Sequence, residues 1–457
     1  MTTLKPREPY TPRELEQLYP SNLQLQLVQV VSRYSGMAKE APFPLVFRIQ
    51  PGELTDKGRE TTLALGERLR HLYINQLHFM PHLLSSPDSI YLRATPMPRA
   101  LESVQQTFWG FYPPSSRAAT FPPPTILTRS PSDETLYPND SNCRRLAQLS
   151  LAFAQRCAER WNESSEMEYL NRKLGKWMPE SSPRVKVDSH PRLSGIMDTV
   201  NATLAHGPET KLPSEFYDEK VRAIIDRIAV EEWFAGYVES REYRALGIGA
   251  LVGDLVSRMV GSVEEDGRDG IREVGDGLGE GRGGEKRLRM GLMGCHDTTL
   301  AGMLAALGAY EGEPWPPYTS HIAVELFKQK GVVANRASGP VQNMVPRKGW
   351  WESLFGMKEQ VSSPGGIGRR SIGELSEAER SKLDDYFVRI RYNDKPVTVP
   401  GCKLPGKHLE GDESFCTLEA FKAIADKFTP RHWKQECLSN LDQPEFPTSP
   451  EPAGYER

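Results

Sequence analysis

The chain has 457 residues, is 38% hydrophobic and 26% charged, and carries a formal net charge of -3. That balance belongs to a globular protein long enough for two or three cores, or for one large core with an inserted cap. The near-neutral charge and the lack of aromatics interleaved with Lys/Arg clusters exclude a nucleic-acid footprint, and no apolar run is read as approaching the roughly 18 residues of a membrane span.

Taken in order, residues 1–20 have no apolar segment and include Glu8, Glu14 and Glu16, which points to a cytoplasmic protein. Thr11-Pro12-Arg13-Glu14 has the pattern of a capping box with proline at the first helical position, so a short helix precedes the first strand. Leu23 to Val31 alternates and then turns fully apolar, as a strand entering a buried sheet does. Thr55 caps a helix with Leu65, Leu69 and Leu72 at helical spacing. The order strand then helix repeats at Ile90 to Leu92, followed by Leu101, Val104 and Phe108. It repeats again at LRMGLMGCHDTTLAGMLAALG, where Gly308 stops the helix.

Repeated strand–helix units predict an α/β fold: a Rossmann-like, mostly parallel sheet flanked by helices, with sites at the strands' carboxyl ends. Helical patterns such as Leu146 to Trp161 and Glu219 to Tyr237 predict a smaller helical cap over 116–260, inserted between core segments 1–115 and 287–457. The glycine-rich, charged stretch 261–286 reads as a disordered loop. Further on, residues 319–327 read as a strand and DYFVRIRYNDKPVTV as a hairpin turning at Asn393-Asp394. A helix follows from about Thr417 to Lys427, and the tail after Cys437 has no periodicity and is expected to be loose. The six cysteines, without Cys-x-x-Cys spacing, argue against zinc and are read as mostly free thiols, with Cys402 and Cys416 the pair best placed to bridge.

The chemistry gathers at two strand ends. Arg93 can fork onto two oxygens of a phosphate. His296 and Asp297, at a strand–helix junction, can stabilise its charge and protonate a leaving group. Histidines 71, 78 and 82 read as polar-face residues, and His190 as a loop residue before proline.

On these residues the chain resembles the histidine acid phosphatases. GCHDTTLAGMLAALGAYEGEPWPPYTSHIAVELF is similar to their His-Asp segment, YLRATPMPRALESVQQ to their Arg-Ser-Thr segment with Ala94 for the serine, and Leu54 to Gly58 to their L-T-x-x-G pattern; the likeness runs from about Tyr19 to Cys437. It implies metal-free, cofactor-free hydrolysis of a phosphate monoester through a phosphohistidine, with Arg33 and Arg93 holding phosphate, His296 stabilising it and Asp297 as acid. Arg99 fits the family's next arginine and is read as a structural ion pair. The family's defining R-H-G-x-R-x-P is replaced by VQVVSRYSGMAKEAP. Arg33 matches the first arginine, but Tyr34 stands at the nucleophile's position, Ser35 replaces the glycine and Met37 the second arginine. The segment between this motif and Leu54 is also shortened. A degenerate member and a sequence lacking one stretch of its coding region both fit that pattern. Tyr34, with a reference pKa of about 10, stays neutral without a dedicated base. The alternative in function is a catalytically silent protein that binds phosphate compounds or a protein partner; substrate and oligomeric state are not legible.

Overall fold

The computed structural model describes residues 3, 8–34, 53–207, 211–263, 288–331 and 367–456. Thr11 and Glu14 close the expected capping box on α1 (Pro12–Leu18), which leads into β1 (Leu23–Arg33). Thr55 accepts a hydrogen bond from the Gly58 amide at 3.1 Å and opens α2 (Asp56–Arg70). β2 (Ile90–Ala94) and α3 (Pro98–Phe111) form the second unit. α4 (Arg144–Trp161), α5 (Ser165–Leu174), α6 (Leu193–His206), α7 (Glu219–Glu239), α8 (Arg241–Arg244) and α9 (Ala250–Val263) follow. β3 (Met290–Cys295) then runs into α10 (Asp297–Ala306), followed by β4 (His321–Gln329), α11 (Glu377–Arg380), and the hairpin β5 (Tyr386–Tyr392) and β6 (Lys395–Val397). The turn at Asn393 and Asp394 has φ of 48° and 72°, the left-handed pair a tight two-residue hairpin turn requires. β7 (His408–Leu409), β8 (Asp412–Thr417), α12 (Leu418–Asp426) and α13 (Trp433–Glu436) complete the chain.

The strands form one sheet in the order β2-β3-β1-β4-β5-β8-β7, with β6 beside β5. β2, β3 and β1 are mutually parallel. Every pairing from β4 outward is antiparallel. The fold is the expected α/β class, with the parallel part confined to β2, β3 and β1, which are joined by helical crossovers as parallel neighbours require.

Strand alternation assigns the two faces. Val28, Val30, Ile90, Leu92, Met290 and Leu292 meet α2 and α3 on one side. Those helices cross closely because Gly66 and Gly110 face each other; a Cβ on Gly66 would lie 2.0 Å from the Thr107 carbonyl oxygen. Leu27, Val31, Tyr91, Met293 and Cys295 point the other way, into a core shared with α4 to α7, α9 and α10. α9, which sequence reading counts with the insert, packs on β1, where Gln29 Nε2 donates to the Leu255 carbonyl at 2.9 Å.

Four expectations are corrected. Arg241–Val263 forms one continuous helix that is long and apolar enough to cross a membrane, yet 89% of its apolar window is buried inside the protein, where it serves as a core helix. That helix also takes up residues 261–263 of the stretch read as a loop; the rest of that stretch, 264–286, lies outside the described residues, as do Ser35 and Met37. The C-terminal tail is packed rather than loose. Arg145 donates to the Gln443 and Pro444 carbonyls, Arg244 to that of Glu451, and the Gly401 amide to that of Gly454. Finally, four cysteines are paired, Cys143 with Cys437 and Cys402 with Cys416, leaving Cys157 and Cys295 as buried thiols. Cys143 and Cys437 are 294 residues apart and meet where the end of α13 packs on the start of α4, the Arg145 amide donating to the Cys437 carbonyl at 2.9 Å.

Candidate active site

The register of the parallel strands decides which side chains reach the rim. Arg33 pairs with Cys295 and Arg93 with Met293, so Arg93 lies two residues deeper, about 6.6 Å along the strands. The Thr95 amide donates to the Gly294 carbonyl at 3.1 Å, which puts Thr95, not Arg93, at the rim. Thr95 Oγ1 accordingly lies 3.1 Å from His296 Nε2.

Arg93 is engaged below the rim. Its Nη2 donates to Glu134 at 2.6 Å and to Thr135 at 3.2 Å, and its Nη1 lies 3.8 Å from Asp254. The same Glu134 oxygen accepts the Thr135 and Leu136 amides, while the Leu136 carbonyl accepts the Thr299 hydroxyl of α10. Arg93 therefore anchors the loop that ties β2 to the start of α10. Of the four side chains expected to act on one phosphate, Arg33 pairs with Asp297 and both act electrostatically on His296, whereas Arg93 is held one layer beneath them.

Arg99 takes the place at the rim. It sits in the first turn of α3, its guanidinium 4.5 Å from the centre of the Tyr34 ring, and among the described residues it makes no ion pair. Its charge is, after burial, the largest influence lowering the pKa of His296. The reading of Arg99 as a structural ion pair is thus overturned. An R-A-L pattern opening a helix just past a strand was the signal available.

His296 caps α10, with the rings of Tyr34 and Tyr137 edge-on to it at 5.4 and 5.7 Å. Burial, then Arg99 and Arg33, hold its pKa below the ordinary imidazole value despite Asp297, so the ring is neutral. Asp297, at the first position of α10, pairs with Arg33 at 2.9 Å, accepts the Trp315 indole N–H at 2.8 Å and the Thr298 amide at 2.9 Å. Burial alone would raise its pKa; Arg33, the Trp315 indole and the Thr298 amide outweigh burial and hold it below the usual carboxylate value. Asp297 is therefore ionised while Arg33 stays on it. Arg33 also donates to the Pro316 carbonyl and lies 4.1 Å from the centre of the Tyr318 ring.

Tyr34 follows Arg33 at the end of β1 and is 5% exposed. Burial and then Asp297 raise its pKa against the pull of Arg33 and Arg99, which leaves a neutral phenol. His190 is exposed on the cap, away from these groups. Among the described residues no three His, Cys, Asp or Glu side chains form a group that could hold a metal ion. A cavity of about 440 Å³ lined by Arg241, Glu242, Lys427 and Phe428 contains none of the site residues.

Arg33, Arg99, the neutral His296 imidazole, the Thr95 hydroxyl and the N-terminus of α10 lie at the carboxyl ends of the parallel strands, groups of the kind that bind a tetrahedral anion. Comparison with known proteins gives the family. A family model described as Histidine phosphatase superfamily (branch 2) matches residues 14–343. The chain is 36% identical over 391 residues to a probable acid phosphatase of Schizosaccharomyces pombe, covering 84% of this chain and 76% of that one. Among solved structures, a Hafnia alvei phytase in complex with myo-inositol hexakis sulphate superposes with a TM-score of 0.57 at 10% identity, over 92% of this chain and 99% of that one. A phytase from Citrobacter braakii gives 0.54 at 13%, over 91% and 99%. At such identities the two structures speak for the fold alone.

Proposed function

The chain belongs to the histidine phosphatase superfamily, branch 2, and on that premise we propose that it binds phosphate monoesters at the rim of β1, β2 and β3 but does not hydrolyse them. Arg33 and Arg99 grip the phosphate, with Thr95 and His296 contributing hydrogen bonds. When an anion draws Arg33 away from Asp297, the carboxylate loses its main counter-charge and its proton affinity rises, as an acid for the leaving group needs.

The observation that carries the inactive reading is Tyr34. Resemblance to the family calls for a phosphohistidine there. Among the described residues the buried neutral phenol meets no base placed to activate it: the His296 ring is edge-on to it, and His296 Nε2 is engaged with Thr95. Loss of a covalent nucleophile costs about 10⁶ in rate, roughly 8 kcal/mol of barrier, more than the remaining groups supply. The two disulfides support an oxidising compartment over the cytoplasmic one expected from the first twenty residues.

The test is purified protein assayed with an aryl phosphate near pH 5 beside an Asp297→Asn control, with phosphate or tungstate binding followed by thermal shift. Binding without turnover is expected. Turnover of about 1 s⁻¹ or faster that vanishes in the control would overturn the inactive reading and revive the hydrolase.

A further inference from the structure

The side of the site beyond Asp297 is built from indoles. Trp315 donates its ring N–H to Asp297 Oδ2, so its six-membered edge extends away from the carboxylate. Against it pack Phe234 at 5.0 Å and Trp233 at 6.1 Å between ring centres, the latter edge-on. Trp315 is 9% exposed, whereas Trp233, on the outer turn of α7, is 41% exposed. An indole in solvent at the end of a stack that begins on the acid is an apolar platform leading out of the anion site.

We propose that the alcohol half of the bound ester is a flat aromatic or apolar group lying against Trp315 and Trp233. This rests on the anion site argued above and narrows its ligand. Position supports it: Asp297 is the group that faces the ester's bridging oxygen if it serves as acid, so what is attached to that oxygen projects toward the indole bonded to Asp297.

The experiment is calorimetric titration of the full chain with inorganic phosphate, methylphosphonate and phenylphosphonate, with tryptophan fluorescence read in parallel. Phenylphosphonate should bind about tenfold more tightly than methylphosphonate, the size of one good ring contact plus its buried area, and should alone quench tryptophan emission. Trp233→Ala should bring the ratio close to one while leaving methylphosphonate affinity unchanged, and Trp233→Phe should keep most of it. Equal affinities for the two phosphonates, or a ratio indifferent to Trp233→Ala, would each overturn the proposal while leaving the anion site standing. If neither phosphate nor methylphosphonate binds, the anion site fails and this inference falls with it.

Discussion

Exchanging the roles of two arginines makes a sharp prediction. Arg93→Ala should damage folding and Arg99→Ala should damage anion binding. Arg93 and Glu134 are both essentially unexposed and 2.6 Å apart, so removing the guanidinium strands a buried carboxylate, a loss of about 3–5 kcal/mol in such pairs. Among the described residues Arg99 gives up its contact with the Tyr34 ring, about 0.5–1 kcal/mol. In binding the order reverses: charge-assisted hydrogen bonds contribute about 1.5–3 kcal/mol, so Arg99→Ala should weaken phosphate by roughly 10- to 150-fold. The assay pairs urea unfolding with phosphate titration on each variant. Should Arg93→Ala be too unstable to purify, the double variant Arg93→Met with Glu134→Leu removes both charges and should recover much of the stability, with phosphate affinity near wild type. A stable Arg93→Ala that no longer binds phosphate, beside an Arg99→Ala that binds normally, would refute the register argument and restore Arg93 as the ligand.

Two further predictions concern the scaffold. Glu325 is buried in the sheet, accepts hydroxyls from Tyr19 and Tyr73 and pairs with Arg389 and Arg391. Burial alone would raise its pKa, but Arg391 and Arg389 lead the groups that lower it from 4.5 to about 2. A depressed folded-state value means stability present above pH 4.5 and lost as pH falls toward 2, of order 3 kcal/mol. Glu325→Gln should flatten that acid limb of the unfolding curve, and an unchanged limb counts against the assignment. For the cysteines, thiol titration of the denatured, unreduced chain should find two reactive groups and six after reduction, with reduction costing about 2–5 kcal/mol per bridge; six thiols before reduction would remove both disulfides.

What could be read from the residues alone follows the range of the interaction responsible. Thr11 with Glu14, Thr55 with Gly58, and the Asn393-Asp394 turn are settled by neighbours within four positions, and each forms as expected. The strand–helix units were legible for the same reason, since periodicity is local. Pairing across the chain was not. Cys143 meets Cys437 across 294 residues, and nothing in the composition of the tail advertises carbonyls positioned for Arg145 and Arg244. The apolar stretch from Arg241 was underestimated because its charged residues interrupt the run, although a helix tolerates them once Arg244 can donate to the Tyr237 and Glu451 carbonyls.

The site shows the same division within a few residues. Sequence placed His296 and Asp297 correctly at a strand–helix junction, a local feature, and placed Arg93 at a strand end, which is also true. It could not tell how far β2 slides against β3. The offset of Arg93 to Met293, against Arg33 to Cys295, is one full pleat, and a pleat is longer than the hydrogen bonds a phosphate makes. A chain with two arginines six residues apart, one ending a strand and one opening the next helix, therefore offers two candidate ligands. Only the neighbouring strand's register decides between them: the deeper one finds Glu134, and the one at the rim remains available for the anion.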